Sequence, residues 1–279
     1  MKQLMYILSS FILVMLLVAA NFTEKPKALY DIPTQTLDLY KIINDDFKRS
    51  PQSYTIKGFQ VSQQVTFKEY KEYLTSVKKD SSVSFYRTQL PDSSISSPEV
   101  YKKYISNQVY ESFPVLGISW DNAMNFCKWK TIRDNKDSIQ FVYRLPNCSE
   151  WIAAYYYLNY KKIDNDFNKN YSDWTINSKD ESAYDFQNNK KLLPFHYDDL
   201  FFHRSKDQRV LKRKQVIGNS YLYEQENILR FQFSFYANAG YKQVSFRYIK
   251  EFVKQSSRIP HYNKSLAQIL IEQWNLKSK

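Results

Sequence analysis

The sequence predicts an α+β domain of short strands, a few capped helices and much irregular chain, and three kinds of segment predict it. Apolar side chains recur at every second residue at Leu229, Phe231, Phe233 and Phe235, and again at Val244, Phe246 and Tyr248, the period of a half-buried strand. Helical spacing with a start signal occurs at residues 66–77, where Thr66 stands as N-cap, Glu69 follows three residues on, and Tyr70, Tyr73, Leu74 and Val77 share a face. Polar stretches without either period, above all residues 159–191, read as loop. In 279 residues, 43% hydrophobic and 17% aromatic, there is apolar surface for one large core or two modest ones, which excludes disorder throughout.

The remaining elements follow in chain order. Residues 1–20 carry the marks of an export signal: Lys2 supplies a positive start, 4–20 are apolar, and Val18 and Ala20 sit where a signal peptidase needs small side chains. A retained membrane anchor is the alternative, because this stretch lies at the lower edge of what spans a bilayer. No cysteine stands near position 20, which argues against a lipoprotein. The expected location is therefore the periplasm or cell envelope, secreted or N-terminally anchored. Residues 21–53, with Pro26 and Pro33, suit a spacer or an arm lying on the domain, and residues 54–279 form the domain proper.

Within it, Tyr54, Ile56, Phe59 and Val61 read as a strand interrupted by Gly58, and residues 80–98, rich in Ser and Pro, as an exposed loop. Residues 119–133 form a helix with Asp121 in its first turn. A short strand at 141–144 is stopped by Pro146, and Asn147 or Ser149 can cap the next helix, 151–158. An amphipathic helix at 266–274 ends the series.

Forty Lys and Arg against 28 Asp and Glu give a net charge of +12, a field that favours anionic partners such as lipid headgroups or acidic glycans, or serves solubility alone. The densest basic cluster, Lys212, Arg213 and Lys214, is too short for a nucleic-acid footprint, so no nucleic acid is expected as a partner.

Four segments resemble, in order and rough separation, the sulfatase-modifying-factor (formylglycine-generating-enzyme-like) family. They are residues 58–74 with a Val65-Thr66 then Tyr70 pattern; Phe113-Pro114-Val115 through Gly117, Ser119-Trp120-Asp121-Asn122-Ala123 to Phe126-Cys127 and Trp129; Tyr143-Arg144-Leu145-Pro146 with Glu150-Trp151; and, more weakly, Gly218-Asn219-Ser220-Tyr221 with Val244-Ser245-Phe246-Arg247-Tyr248. The resemblance implies the complex α+β fold shared with C-type lectin-like domains, in which Gly117, Trp120, Trp129, Arg144, Pro146, Glu150, Trp151, Gly218 and Arg247 build the scaffold. Arg144 is expected to pair with Glu150, and Arg247 with a carboxylate of the same core.

The resemblance also implies chemistry that this sequence departs from. Active members oxidise a target cysteine with a copper ion held by two thiolates in the C-terminal third, and soft Cu(I) needs such ligands. Cys127 and Cys148 are the only cysteines, and both precede that region. The family partner of Cys127 on the closing strand is replaced by Tyr248, so Cys127 is expected as a buried free thiol, with a bridge to Cys148 left open. No catalytic residue and no cofactor, copper included, is expected. His196, Asp199 and His203 would share one face if helical and are the one metal-like set, with a partly buried loop as the alternative.

The expected function is thus that of a pseudoenzyme: a non-catalytic binding or assembly component of a bacterial envelope. Its domain type is similar to that of the gliding-motility and secretion lipoproteins of the Bacteroidetes. Its partners would be envelope proteins or an anionic surface ligand, with membrane association through residues 4–20; the oligomeric state stays open. The alternatives are an enzyme of divergent, metal-dependent chemistry in the same groove and a binder of anionic glycan or lipid surfaces.

Overall fold

The computed structural model describes residues 29–38, 53–167, 169, 171–178, 213–220, 233–253 and 265–276. The export or anchor segment, the set His196, Asp199 and His203, and Tyr221, Leu229 and Phe231 lie outside the described residues.

Among the described residues, three antiparallel or mixed sheets carry the domain. One runs β1 (Tyr30–Ile32), β4 (Phe59–Val61), β10 (Ile249–Phe252), β5 (Phe141–Arg144) in spatial order. A second pairs β2 (Gln35–Asp38) with β3 (Ser53–Ile56), and a third runs β8 (Phe233–Tyr236), β7 (Arg213–Ile217), β6 (Ser172–Ser178), β9 (Val244–Ser245). The last pair is parallel, with Asp173 opposite Ser245, which brings the middle of the chain beside its end. Residues 30–38, expected in the spacer or arm, lie on the domain as strands of two of these sheets. Gly58 separates β3 from β4, which belong to different sheets rather than to one interrupted strand.

The helices follow from their caps and buried faces. In α1 (Phe67–Asp80), Thr66 Oγ1 accepts the Glu69 N–H at 3.2 Å, and Phe67, Tyr70, Tyr73, Leu74 and Val77 form the buried stripe. Helix α4 (Trp120–Asp134) starts on Ser119, and α5 (Cys148–Tyr160) on an Asn147–Glu150 capping box. Helix α6 (Leu266–Gln273) buries Leu266, Ala267, Ile269, Leu270 and Ile271.

Two segments differ from expectation. Residues 80–98 hold α2 (Val83–Gln89), a 3₁₀ turn (Ser93–Ile95) and the start of α3 (Pro98–Ser106) instead of a plain loop. Their Ser and Pro are boundary signals: Ser82 and Ser97 are N-caps, and Pro98 is at the first helical position, where its missing N–H has no role to fill. The polar stretch 159–191 contains β6, whose residues 172–177 are all buried. Trp174 and Ile176 alternate as a strand requires. The polar neighbours are satisfied inside the protein: Thr175 Oγ1 donates to the Gln215 carbonyl at 3.1 Å, and Asn177 Oδ1 accepts the Cys148 N–H at 2.9 Å.

Two core clusters result. The larger joins α1, α4, α6 and the closing segment 244–248, with Phe126 stacked on Tyr70 and edge to face with Tyr73 and Phe246, at 5.3–5.9 Å between ring centroids. The smaller lies around Trp151, Phe167, Ile32 and Val61.

Candidate functional site

Most of the residues expected as scaffold are buried or paired. Arg144 meets Glu150 in a two-pronged ion pair at 2.6 and 2.8 Å and reaches Glu251 at 2.5 Å. Arg247, with 0% exposure, contacts Asp173 at 2.7 Å and Asp166 at 2.9 Å, and its guanidinium lies 3.5 Å from the centre of the Phe167 ring. Asp173 also accepts from Trp151 Nε1 at 2.7 Å and Gln64 Nε2 at 2.9 Å, so the carboxylate is held by three donors. Trp120 Nε1 donates to the Thr175 carbonyl, Pro146 accepts the Ile176 N–H, and the Gly218 carbonyl accepts Ser172 Oγ. Trp129 is half-buried beneath the Arg133 guanidinium.

The thiols sit apart from one another. Cys127 and Cys148 are both free and buried, so the bridge left open by the sequence is not formed. Cys127 belongs to the larger cluster and Cys148 to the smaller. Burial pushes the Cys127 thiol well above the ordinary cysteine range, with Lys130 the largest opposing influence. Cys148 Sγ lies 3.0 Å from Gln215 Oε1, deep in the fold.

Between α4 and the closing segment 244–248 lies a charged and aromatic cluster. Lys130, 7% exposed, lies 5.0 and 5.1 Å from the ring centres of Tyr248 and Tyr143. Its Nζ is 3.1 Å from Glu69 and 3.6 Å from Asp134. Tyr248 in turn donates to Glu69 at 3.3 Å. Among the described residues no group of three or more His, Cys, Asp or Glu converges on a metal-sized site.

Among the described residues a cavity of about 440 Å³ lies between the end of α2, the turn at Asp92, the start of α4 and the turn at 238–240. Two glycines make its floor. Gly117 has φ +72°, and a Cβ on Gly240 would fall 2.1 Å from the Gly117 carbonyl oxygen, so two chain segments cross there that no larger residue permits. The crossing is tied by backbone bonds: Asp92 N–H to Gly117 O at 2.8 Å, Gly117 N–H to Tyr241 O at 3.2 Å and Asp121 N–H to Ala237 O at 3.2 Å. Gln89 anchors the wall, its carbonyl oxygen and side-chain Oε1 accepting from Tyr70 and Tyr73, each at 2.8 Å.

Polar side chains from α4, Asp121, Asn122 and Asn125, face Asp92 and Gln89 across this space. Asp92 is fixed by N–H groups of Ser94 at 2.9 Å and Gly240 at 3.4 Å. Burial pushes its carboxyl up, but hydrogen bonding to the Ser94 side chain and to the Ser94 and Gly240 N–H groups outweighs it and leaves it below the usual carboxylate range. Asp121 is raised by desolvation, opposed by Lys214. The arrangement suits recognition by hydrogen bonds and charge, and offers neither a thiolate nor an imidazole. The sequence pointed to Gly117 and Asp121 but missed Gln89, Asp92 and Asn125. Gly240, one of only four glycines, was the available signal.

A family model for the sulfatase-modifying factor enzyme 1-like domain matches residues 34–191. No curated protein matches the sequence. Among solved structures, CarF superposes with a TM-score of 0.52 at 12% identity, over 81% of this chain and 99% of that one, and shares the fold. Treponema denticola variable protein 1 gives 0.49 at 12% identity over 80% and 94% of the two chains. PvdO from Pseudomonas aeruginosa gives 0.42 at 14% identity over 80% and 94%. The fold is the formylglycine-generating-enzyme-like, C-type lectin-like α+β fold that the sequence implied.

Proposed function

Because the chain belongs to the sulfatase-modifying factor enzyme 1-like domain family, we propose that it keeps the family scaffold for binding and has given up thiol oxidation. The observation that carries this reading is the placement of sulfur. The only two thiols are buried in different core clusters, Cys127 is strongly disfavoured as a thiolate, and no residue after position 148 is a cysteine. As a donor set they do not fit a two-thiolate copper site.

The domain then acts as a binding or assembly component of a bacterial cell envelope, reached through the export signal or anchor at residues 1–20. A role in gliding motility or secretion is supported only by its likeness to the lipoproteins of those systems. Titration of the purified protein with Cu(I), with a thiol-bearing peptide assayed for aldehyde, tests the reading. The expected result is no stoichiometric copper and no aldehyde, and turnover of the peptide overturns it.

A further inference from the structure

Helix α5 ends in a projecting turn in which residues 159–164 are all exposed. The turn is nonetheless fixed, because the helix end uses its N–H groups: Lys161 donates to the Tyr157 carbonyl at 3.0 Å, Lys162 to that of Asn159 at 3.0 Å and Ile163 to that of Leu158 at 2.9 Å. Tyr160 is 81% exposed and Ile163 39%, and Tyr156, one helical turn before Tyr160 on the same face, is exposed as well. Lys161 Nζ lies 5.6 Å from the centre of the Tyr160 ring. Asp164, the one acid of the turn, is matched by Lys169 at 3.3 Å, so Lys161 and Lys162 keep no ion-pair partner among the described residues. Lysines at a helix C-terminus complement its dipole, which accounts for their charge but not for an exposed tyrosine and isoleucine beside them.

The turn sits where the N-terminal arm joins the domain. Tyr30, at the start of β1, donates its hydroxyl to the Asp164 carbonyl at 3.0 Å. Residues 21–28 alone separate Leu29 from the apolar stretch 4–20. Fully extended, that length of chain reaches at most about 30 Å, less than the roughly 45 Å across a compact body of this many residues. With residues 4–20 held in a bilayer, the end of the domain that carries Leu29, and with it the turn, faces the lipid headgroups. The side chains match that setting: a tyrosine ring seats at headgroup level, an isoleucine adds apolar area, and two lysines meet a negative surface while their stems lie along it.

We propose that Tyr160, Lys161, Lys162 and Ile163 form a second membrane contact, seated on an anionic lipid surface and setting the orientation of the domain against it. The proposal rests on reading residues 1–20 as an envelope anchor.

Because Cys127 and Cys148 are buried, a polarity-sensitive dye on an added cysteine reports the surroundings of that cysteine. The full chain carries the dye at Asn159→Cys or, as a reference on α4, at the exposed position Ile132→Cys, and is reconstituted into phosphatidylcholine vesicles with and without phosphatidylglycerol. The expected result is a blue shift of the Asn159 dye in the phosphatidylglycerol vesicles, weakened in 1 M salt, and no shift at Ile132. Lys161→Gln together with Lys162→Gln should abolish the shift, each lysine contributing roughly fivefold to the contact equilibrium, and Tyr160→Ser should reduce it. All these positions are exposed, and near-UV circular dichroism checks the fold of each variant. Vesicle-bound protein whose Asn159 dye stays in water, an equal shift in both kinds of vesicle or at Ile132, or a shift that the variants leave unchanged overturns the proposal while the anchor reading stands. Protein that floats with neither kind of vesicle overturns both.

Discussion

Arg144 and Arg247 are both withdrawn from solvent, at 4% and 0% exposure, yet their surroundings are built differently. Arg144 faces Glu150 and Glu251, whose side chains keep 12% and 21% exposure, so water still shares the solvation of that pair. Arg247 faces Asp173, itself 1% exposed, and only Asp166 at 25% opens toward the surface. In the first case a local turn is pinned from its edge. In the second, a carboxylate of β6 and a guanidinium of the closing segment 244–248, between β9 and β10, depend on each other for solvation, which is why one cannot be removed without stranding the other.

The largest expected effect breaks the second arrangement. Asp173→Ala removes a carboxylate that Arg247, Trp151 and Gln64 all address, and should destabilise the protein by about 3–5 kcal/mol in urea unfolding. Arg247 would keep only Asp166 as a counter-ion. An Asp173→Ala protein as stable as the parent would show that the buried pair is not what holds β6 to the end of the chain.

Glu150→Ala should cost less, about 2 kcal/mol in the midpoint of thermal unfolding followed by circular dichroism. It deletes both the capping box of α5 and the two-pronged pair, but Arg144 retains Glu251. A loss equal to that of Asp173→Ala would erase the distinction between the two arginines.

Lys130→Met tests the charged and aromatic cluster between α4 and the closing segment 244–248. Methionine keeps much of the apolar stem between Tyr143 and Tyr248 but leaves Glu69 and Asp134 without their ammonium, so a loss of about 1 kcal/mol is expected from chemical denaturation. A loss several times larger would make Lys130 a third buried-charge centre.

The smallest effect concerns acid. The Asp92 carboxyl is lower in the folded protein than in the unfolded chain, because hydrogen bonding to the Ser94 side chain and to the Ser94 and Gly240 N–H groups outweighs its burial. Its contribution is therefore complete above the unfolded value of about 3.9 and is lost as pH falls through the folded one. Stability measured between pH 5 and pH 2 should fall less steeply in Asp92→Asn than in the parent. An identical slope would mean that the turn beside the cavity is not held by an ionised group.

Much of this was legible in local sequence. Thr66 acts as the cap it was expected to be, and of the two candidates Asn147 and Ser149 it is Asn147 that caps, because a cap is a contract among residues three apart. The Arg144–Glu150 pair spans six positions and was equally readable. Strand β6 was not, since its Asp, Thr and Asn look like loop until their partners arrive from elsewhere, and α2 was hidden because its Ser cap looks like any loop serine.

By itself the sequence determined the family likeness, the helix starts, the basic charge and the shortage of thiols, all of which depend on residue identity or on neighbours within a turn. Only the tertiary structure decided that Asp173 is the partner of Arg247, 74 positions away, and that Gly240 crosses Gly117 beside the cavity at Asp92. Contacts across such separations are set by the packing of whole elements against one another, and no periodicity in the chain encodes which element will arrive.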